Sequence, residues 1–215
     1  MERTVMRGLG FGLVLLGLVG TIVSCALPLW LLSLPPGPAN STLGGPSRQV
    51  WEGLWVCCWE RPPEAGSRCE AYPSPWSLPL AVQAARALTL IAAALGLLGA
   101  LAGAASALVC APLLRDPVHQ GDAGVCGGFL ALAAGTLELL AVGWVVHSAR
   151  RDRGDPLVAL DAQREAGPAS HLALAAGAAL ALGGILLCLA WPKQSDRYPP
   201  KLQSAASTAE KPARA

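Results

Sequence analysis

The sequence predicts an α-helical membrane protein that carries a small β-sheet beside its helices, and three observations support this class. Of the 215 residues, 53% are hydrophobic and only 14% are charged, whereas about a quarter of a soluble chain is charged. Four stretches are apolar over the length of roughly 20 residues that a helix needs to cross a bilayer. The loop at residues 31–79, between the first two stretches, holds three of the seven cysteines.

The same composition excludes several other classes. The formal net charge of +2 and the pI of about 8.2 are too mild for a nucleic-acid-binding protein. An apolar content this high must be buried, which excludes disorder for most of the chain. The sequence contains no nucleophile–base pair, metal box or phosphate-binding loop. We therefore predict neither an enzyme nor a cofactor.

The apolar stretches and the segments between them define the predicted organisation. The first stretch is longer than the apolar region of a signal peptide, so we expect an uncleaved helix. Aromatic rings favour the membrane interface, which predicts interfacial anchors at Trp30, Trp144 and Trp191. The segments in chain order are a cytoplasmic N-terminus 1–7, helix 8–30, extracellular loop 31–79, helix 80–114, cytoplasmic link 115–122, helix 123–147, extracellular loop 148–170, helix 171–191 and a disordered cytoplasmic tail 192–215.

Cysteines and a glycosylation pattern give the orientation, because lysine and arginine are almost evenly divided between the two sides. A disulfide persists only on the oxidising side of a membrane. Closing the loop between Cys58 and Cys69 would contribute about 3 kcal/mol by the chain-entropy model. Asn40 begins an Asn-Ser-Thr glycosylation acceptor pattern in the same loop. Both signals place this loop outside the cell and both termini in the cytoplasm.

The segment VWEGLWVCC at residues 50–58 predicts a single β-strand that is apolar on both faces. With the alternation of a strand, one face would carry Leu54, Val56 and Cys58. The other face would carry Trp51, Trp55 and Trp59. Zinc binding by Cys57, Cys58 and Cys69 is the alternative for the cysteines. It is disfavoured because their spacing is poor and no histidine is near.

These residues resemble the signature of the claudin family, which has a tryptophan after helix one, a Gly-Leu-Trp triplet and two following cysteines. The matching residues are Trp30, Gly53, Leu54, Trp55, Cys58 and Cys69, with Arg86 opening helix two. The segment PLVALDAQREAG at residues 156–167 also resembles the second loop of claudins. Peripheral-myelin-protein relatives and calcium-channel gamma subunits share the Gly-Leu-Trp triplet and the cysteine pair.

The resemblance implies a left-handed four-helix transmembrane bundle carrying an extracellular antiparallel sheet stapled by one disulfide. It implies a structural component of tight-junction strands in the plasma membrane that controls paracellular permeability. The implied partners are the chain itself, other claudins in the same and the opposing membrane, and the lipid bilayer. The alternative is an accessory tetraspan subunit of an ion channel or receptor.

Two departures from the family pattern affect the expected partners. The chain ends in KPARA, without the Tyr-Val type of ending that binds PDZ scaffolds, so the sequence does not favour PDZ binding. Arg153-Gly154 stands where the family often has an aromatic pair linked to adhesion across the gap.

Glu70, directly after Cys69, occupies a position where claudins place residues that tune charge selectivity. A unit charge about 6 Å from an ion in water is worth roughly 0.7 kcal/mol, about a threefold bias. Arg68 beside it would weaken that bias. We therefore expect a barrier or a weakly cation-preferring pore, with simple surface charge as the alternative.

Three further residues are singled out within or near the apolar stretches. Glu138 is the one carboxylate at membrane depth, and ionisable residues there are costly and often functional. We expect a protonated or hydrogen-bonded glutamate that faces the bundle rather than a proton relay. Cys110 and Cys188 lie near cytoplasmic helix ends, where S-palmitoylation and a buried unmodified thiol are both compatible with the sequence.

Overall fold

The computed structural model describes residues 2–33, 49–60, 66–72, 74, 80–107, 117–154 and 164–190. Within these residues the chain forms four long helices and one sheet. The helices are α1 (Glu2–Ala26), α2 (Leu80–Ala107), α3 (Pro117–Gly154) and α4 (Pro168–Ala190). All four are long and apolar enough to cross a membrane. The predicted four-helix membrane protein is confirmed.

The bounds of two helices differ from those predicted from the apolar stretches. Helix α1 runs from Glu2 to Ala26 rather than over residues 8–30, because the chain leaves the helix to enter the sheet at Leu31. Helix α3 begins at Pro117, inside the predicted link 115–122. Proline is tolerated there because the first turn of a helix needs no internal N–H donor. Helix α3 also continues past residue 147 to Gly154, and its buried Ala149 contributes to a hydrophobic cluster beneath the sheet. Hydropathy finds the lipid-facing part of a helix, whereas hydrogen bonds and packing set its ends.

Five short strands form one antiparallel sheet. The strands are β1 (Leu31–Ser33), β2 (Val50–Glu52), β3 (Val56–Glu60), β4 (Ser67–Ala71) and β5 (Arg164–Ala166). Their order across the sheet is β4-β3-β2-β1-β5, and every neighbouring pair is antiparallel. Strand β5 precedes α4, whereas the other four lie between α1 and α2. The sheet therefore joins both predicted extracellular loops.

The single strand predicted over residues 50–58 is wrong, because the chain reverses direction within it. Glu52 pairs with Cys57, so Leu54 and Trp55 form a two-residue turn between β2 and β3. Trp51 pairs with Cys58, and paired residues lie on the same face of a sheet. The predicted face of three tryptophans, set against Cys58, does not exist. An apolar pattern on both sides is better explained by a hairpin whose turn packs on the helices.

Small residues bring the helices into close contact. Helix α3 packs extensively against α2 and α4, and α1 packs mainly against α4. A Cβ atom added at Gly135 of α3 would lie 2.5 Å from the backbone nitrogen of Ala181 in α4. By contrast, a Cβ atom added at Gly8 or Gly12 of α1 would meet nothing within 4 Å. Small residues are typical of membrane helix interfaces, where lipid supplies no hydrophobic drive between helices.

Two hydrophobic clusters fill the bundle. The outer cluster lies under the sheet and joins Trp30, Leu31 and Leu54 to residues of α2, α3 and α4. The inner cluster contains Val14, Leu18, Ala100, Ala131, Ala134, Leu180 and Leu187. The outer cluster is the place where the sheet and the helices become one unit.

Candidate functional site

Trp30 lies in the outer cluster, not at a lipid interface as the sequence predicted. Its side chain is only 1% exposed, and its indole Nε1 donates a hydrogen bond of 2.7 Å to the carbonyl oxygen of Ser24. That carbonyl belongs to the last turn of α1, where the helix leaves acceptors unpaired. The ring is covered because the sheet folds back over the end of the helix. Trp144 is exposed and stays a predicted anchor, whereas Trp191 lies outside the described residues.

The turn at Gly53–Trp55 rests on the same end of α1. Trp55 Nε1 donates a hydrogen bond of 3.0 Å to the carbonyl oxygen of Cys25, and Leu54 is buried in the outer cluster. A Cβ atom at Gly53 would lie 2.5 Å from the Cα atom of Pro28. Only glycine therefore allows the turn to approach the chain that follows α1. The Gly-Leu-Trp triplet thus provides one close approach, one buried side chain and one hydrogen-bond donor.

Arg86, in the second turn of α2, connects this turn to the bundle. Its Nε donates a hydrogen bond to the carbonyl oxygen of Leu54. The guanidinium carbon lies 5.1 Å from the centre of the Trp55 ring and 5.3 Å from that of Tyr72. Both distances are within the range of cation–π attraction. A planar, permanently charged side chain suits a position between two rings better than lysine would.

Tyr72 belongs to the same cluster, although no pattern in the sequence pointed to it. Its hydroxyl donates a hydrogen bond of 3.2 Å to the carbonyl oxygen of Gly53. Burial is the main cause that raises the pKa of Tyr72 to about 12, and the nearby Glu52 carboxylate adds to the effect. The phenol is therefore neutral at physiological pH and remains a donor.

The predicted disulfide between Cys58 and Cys69 is present. It joins directly paired residues of β3 and β4, on the outer edge of the sheet farthest from β5. Every residue of β4 is exposed, so burial contributes little to holding this strand. The disulfide therefore holds β4 against β3 in place of buried apolar contacts.

The second loop is tied to the first at the opposite edge of the sheet. Arg164 of β5 forms an ion pair of 3.1 Å with Glu52 of β2. The backbone N–H of Gly167 donates to the carbonyl oxygen of Trp30 at 2.8 Å, and that of Ala169 donates to the carbonyl oxygen of Leu29 at 3.0 Å. A Cβ atom at Gly167 would collide with the Leu29 carbonyl oxygen. Neither Gly167 nor the Arg164–Glu52 pair was predicted from the sequence.

The two candidate charge residues pair with each other. Arg68 Nε lies 3.1 Å from a Glu70 carboxylate oxygen, and both side chains are more than half exposed. They lie two residues apart on β4 and so share one face of the sheet. An exposed ion pair of this kind contributes little to stability, but it leaves almost no net charge at that point of the surface.

Cys57 lies between Glu52 of β2 and Glu70 of β4 in the sheet register. Burial, and next the Glu52 carboxylate, raises the pKa of its thiol, which disfavours the thiolate that binds metals. Among the described residues, no group of three His, Cys, Asp or Glu side chains could hold a metal ion. The zinc alternative gains no support from this part of the molecule.

Three predicted modification sites differ in what the structure says of them. Asn40 and Cys110 lie outside the described residues. Cys188 is half-buried, with its Sγ 3.8 Å from the carbonyl oxygen of Val125 in α3. Its thiol therefore lies against a neighbouring helix, and palmitoylation there stays a prediction.

Four membrane-crossing helices capped by a disulfide-linked sheet from both loops define a class of tetraspan membrane proteins. The model of the PMP-22/EMP/MP20/Claudin family matches residues 6–187. Claudin-3 of Homo sapiens is 38% identical over 192 residues, which cover 88% of this chain and 83% of the relative. Claudin-6 of Homo sapiens is 36% identical over 97% of this chain and 92% of the relative. Claudin-4 of Bos taurus is 34% identical over 94% of each.

The chain therefore belongs to the PMP-22/EMP/MP20/Claudin family and, within it, to the claudins. The structure shows what the signature residues do in this chain. They fasten a small sheet to the outer ends of α1 and α2 through backbone acceptors and one stacked arginine, and the disulfide joins two strands within the sheet.

Proposed function

We propose that this chain is a structural component of tight-junction strands and controls paracellular permeability through its extracellular sheet. The observation that carries the proposal is the claudin relationship over nearly the whole chain, together with a sheet fastened rigidly to a four-helix bundle. The alternative of an accessory channel or receptor subunit is not favoured, because the relatives compared with this chain are claudins. The role is structural rather than enzymatic.

The proposal includes an orientation with both termini in the cytoplasm. All five strands lie in the segments between α1 and α2 or between α3 and α4, so they share one end of the bundle. The Cys58–Cys69 disulfide belongs on the oxidising side of the membrane. The proposed membrane spans are then the apolar parts of α1, α2, α3 and α4.

The proposed partners are further copies of the chain and other claudins, in the same membrane and across the intercellular gap. A protein whose role is to line or close a gap must associate side by side. Strand β4 is exposed, and no strand of the described residues pairs with its outer edge. The KPARA ending does not favour attachment to a PDZ scaffold.

The charges of the described sheet favour a barrier or a weakly cation-preferring pore. Glu70 is paired with Arg68, and Glu52 is paired with Arg164, so each of these two carboxylates faces a cation. Strong ion selectivity needs several like charges that converge in a narrow passage. A single carboxylate beside an arginine gives at most about a threefold preference.

The direct test restores the chain to an epithelium stripped of its own claudins and measures transepithelial resistance and the sodium/chloride dilution potential. We expect raised resistance, with little ion preference or a weak one for sodium. Unchanged resistance and potential despite delivery to the cell contacts would contradict the proposed function.

Charge variants test the Glu70 site separately. Glu70→Lys changes the local charge by two units and should shift the sodium/chloride permeability ratio toward chloride by about tenfold. Arg68→Ala should shift it toward sodium by releasing Glu70 from its partner. Glu60→Lys is the matched control, because Glu60 is exposed on β3 and its register places it on the other face of the sheet. Equal shifts for Glu60→Lys and Glu70→Lys would reduce Glu70 to ordinary surface charge.

A further inference from the structure

The interior of the bundle contains a layer of polar side chains that the junction role does not use. The polar layer consists of Thr21 and Ser24 of α1, Thr89 of α2 and Glu138 of α3, each with 0% of its surface exposed. The hydroxyls of Ser24 and Thr89 lie beside the Glu138 carboxyl group. Neither carboxyl oxygen has a hydrogen bond of regular geometry, and the hydroxyl oxygens of Thr21 and Thr89 also have none. Buried polar atoms without partners are rare enough to need an explanation.

The polar layer lies between the two hydrophobic clusters. Along α3, Ala141 belongs to the outer cluster and Ala134 to the inner one, with Glu138 between them. On α4, a Cβ atom at Gly177 would lie 3.2 Å from Cβ of Glu138, so the fourth helix closes the remaining side. The carboxyl group is thus surrounded by all four helices, and Glu138 has no exposed surface in the described part of the molecule.

No positive charge compensates Glu138 in the described part of the chain. No Lys, Arg or His side chain there forms an ion pair with it, and the thiol of Cys25, the other titratable group near it, carries no positive charge. Removing an unpaired carboxylate from water costs far more than removing the neutral acid. The neutral acid also supplies an O–H donor, which the ionised form lacks. Ser24 already donates its hydroxyl to the Thr21 carbonyl oxygen, so its hydroxyl oxygen is available to accept.

We propose that Glu138 is a proton-binding site inside the bundle, where its neutral carboxylic acid hydrogen-bonds to Ser24 or Thr89 and holds α1 and α2 against α3. The carbonyl oxygen of Ser24 also accepts the hydrogen bond from Trp30 Nε1. Glu138 is therefore a positioning residue, which acts on the sheet through the last turn of α1.

Infrared spectroscopy of the full chain at neutral pH, in a detergent that contains no ester or carboxyl group, tests the proposal. A protonated carboxylic acid has a C=O stretch at higher frequency than an ionised carboxylate, and exposed carboxyl groups are ionised at this pH. We expect one such band in the wild type and its complete loss in Glu138→Gln. Glu60→Gln, which removes an exposed carboxylate, should leave the band unchanged. Absence of the band in the wild type, as for a carboxylate balanced by a bound sodium ion, would overturn the proposal.

The hydroxyl partners are tested by the frequency of the same band. Ser24→Ala or Thr89→Val should raise the frequency, because a carboxylic acid that loses its hydrogen bond has a stiffer C=O bond. Thr136→Val is the matched control on α3, since Thr136 is exposed and its hydroxyl donates to the carbonyl oxygen of Ala133. A band that none of the hydroxyl variants shifts would show that Glu138 does not bridge the helices. Surface delivery separates the need for a polar group from the need for bulk. Glu138→Gln should reach the cell surface like the wild type, whereas Glu138→Leu should not.

Discussion

The bundle and the sheet are held together by different means. In the bundle, glycine and alanine let helix backbones approach closely, as where Gly135 meets α4. In the sheet, strands of three to five residues present too little apolar area for a core of their own. The sheet relies on directional contacts instead, which include the indole donors of Trp30 and Trp55, the stacked Arg86 and the disulfide.

The difference reflects the two solvents. Within lipid, helices satisfy their own backbone hydrogen bonds and need only complementary shapes to associate. At the outer surface, a small sheet competes with water and lacks buried area, so covalent and charge-assisted links must fix it. The carbonyl oxygens of Ser24 and Cys25 at the end of α1 connect the two regions, because they accept hydrogen bonds from the indole groups of Trp30 and Trp55.

The disulfide should show the largest effect, because it tests how far the sheet depends on links other than packing. Replacing both Cys58 and Cys69 with serine removes a link of sequence separation 11, which the chain-entropy model values at about 3 kcal/mol. We expect loss of surface delivery, and protease cleavage between β3 and β4 in the purified variant. Cys57→Ser is the control, since Cys57 is a free thiol on the same strand. Wild-type protease resistance of the double variant would show that packing alone holds β4.

Substitution at a helix contact should show a smaller effect, which tests whether the bundle depends on shape. Gly135→Ala places a methyl group against the backbone of α4, and overpacking of this kind costs roughly 1–3 kcal/mol. Gly143→Ala is the matched control on the same helix, because a Cβ atom there meets nothing within 4 Å. Thermal unfolding in detergent should show a lowered midpoint only for Gly135→Ala. Equal midpoints would mean that α3 and α4 can separate without loss.

The bundle was predictable from the sequence and much of the sheet was not, for a physical reason. An apolar stretch long enough to span lipid has few alternatives, so the four helices followed from hydropathy alone. The turn at Gly53 was missed because VWEGLWVCC alternates acceptably as one strand. The apolar residues on both faces of this segment were the available signal that some of them, such as Leu54, pack against the helices.

The candidate site was predictable only where the family resemblance supplied it. The resemblance identified Trp30, the Gly-Leu-Trp triplet, the cysteine pair and Arg86, but not the contacts that they make. A tryptophan near a helix end is compatible with a lipid interface and with a buried core. Trp30 is buried because the sheet covers it, which its local sequence does not show. Tyr72 carries no local pattern, and the second-loop match that ends at Gly167 does not show what that glycine does. Both roles depend on segments distant in sequence.

Tyr72 should show the smallest effect, and it tests whether the directional contacts of the sheet act one by one. Tyr72→Phe keeps the ring over Arg86 but removes the hydrogen bond to Gly53, which is worth about 1 kcal/mol. The pKa of Tyr72 is raised to about 12 in the folded chain, against about 10 when unfolded. The neutral phenol therefore stabilises the fold fully below pH of about 10, and this contribution is lost as the pH rises from about 10 to about 12.

Thermal unfolding at neutral and alkaline pH separates these two contributions. The wild type should lose more stability than Tyr72→Phe on going to alkaline pH, so the difference between them should shrink. Tyr198→Phe is the control, because Tyr198 is the other of the two tyrosines in the chain, and it should unfold like the wild type at both pH values. A difference between wild type and Tyr72→Phe that stays constant with pH would mean that the phenol ionises equally in both states. The packing of the Tyr72 ring, rather than the hydrogen bond from its hydroxyl, would then stabilise this part of the sheet, as shape stabilises the bundle.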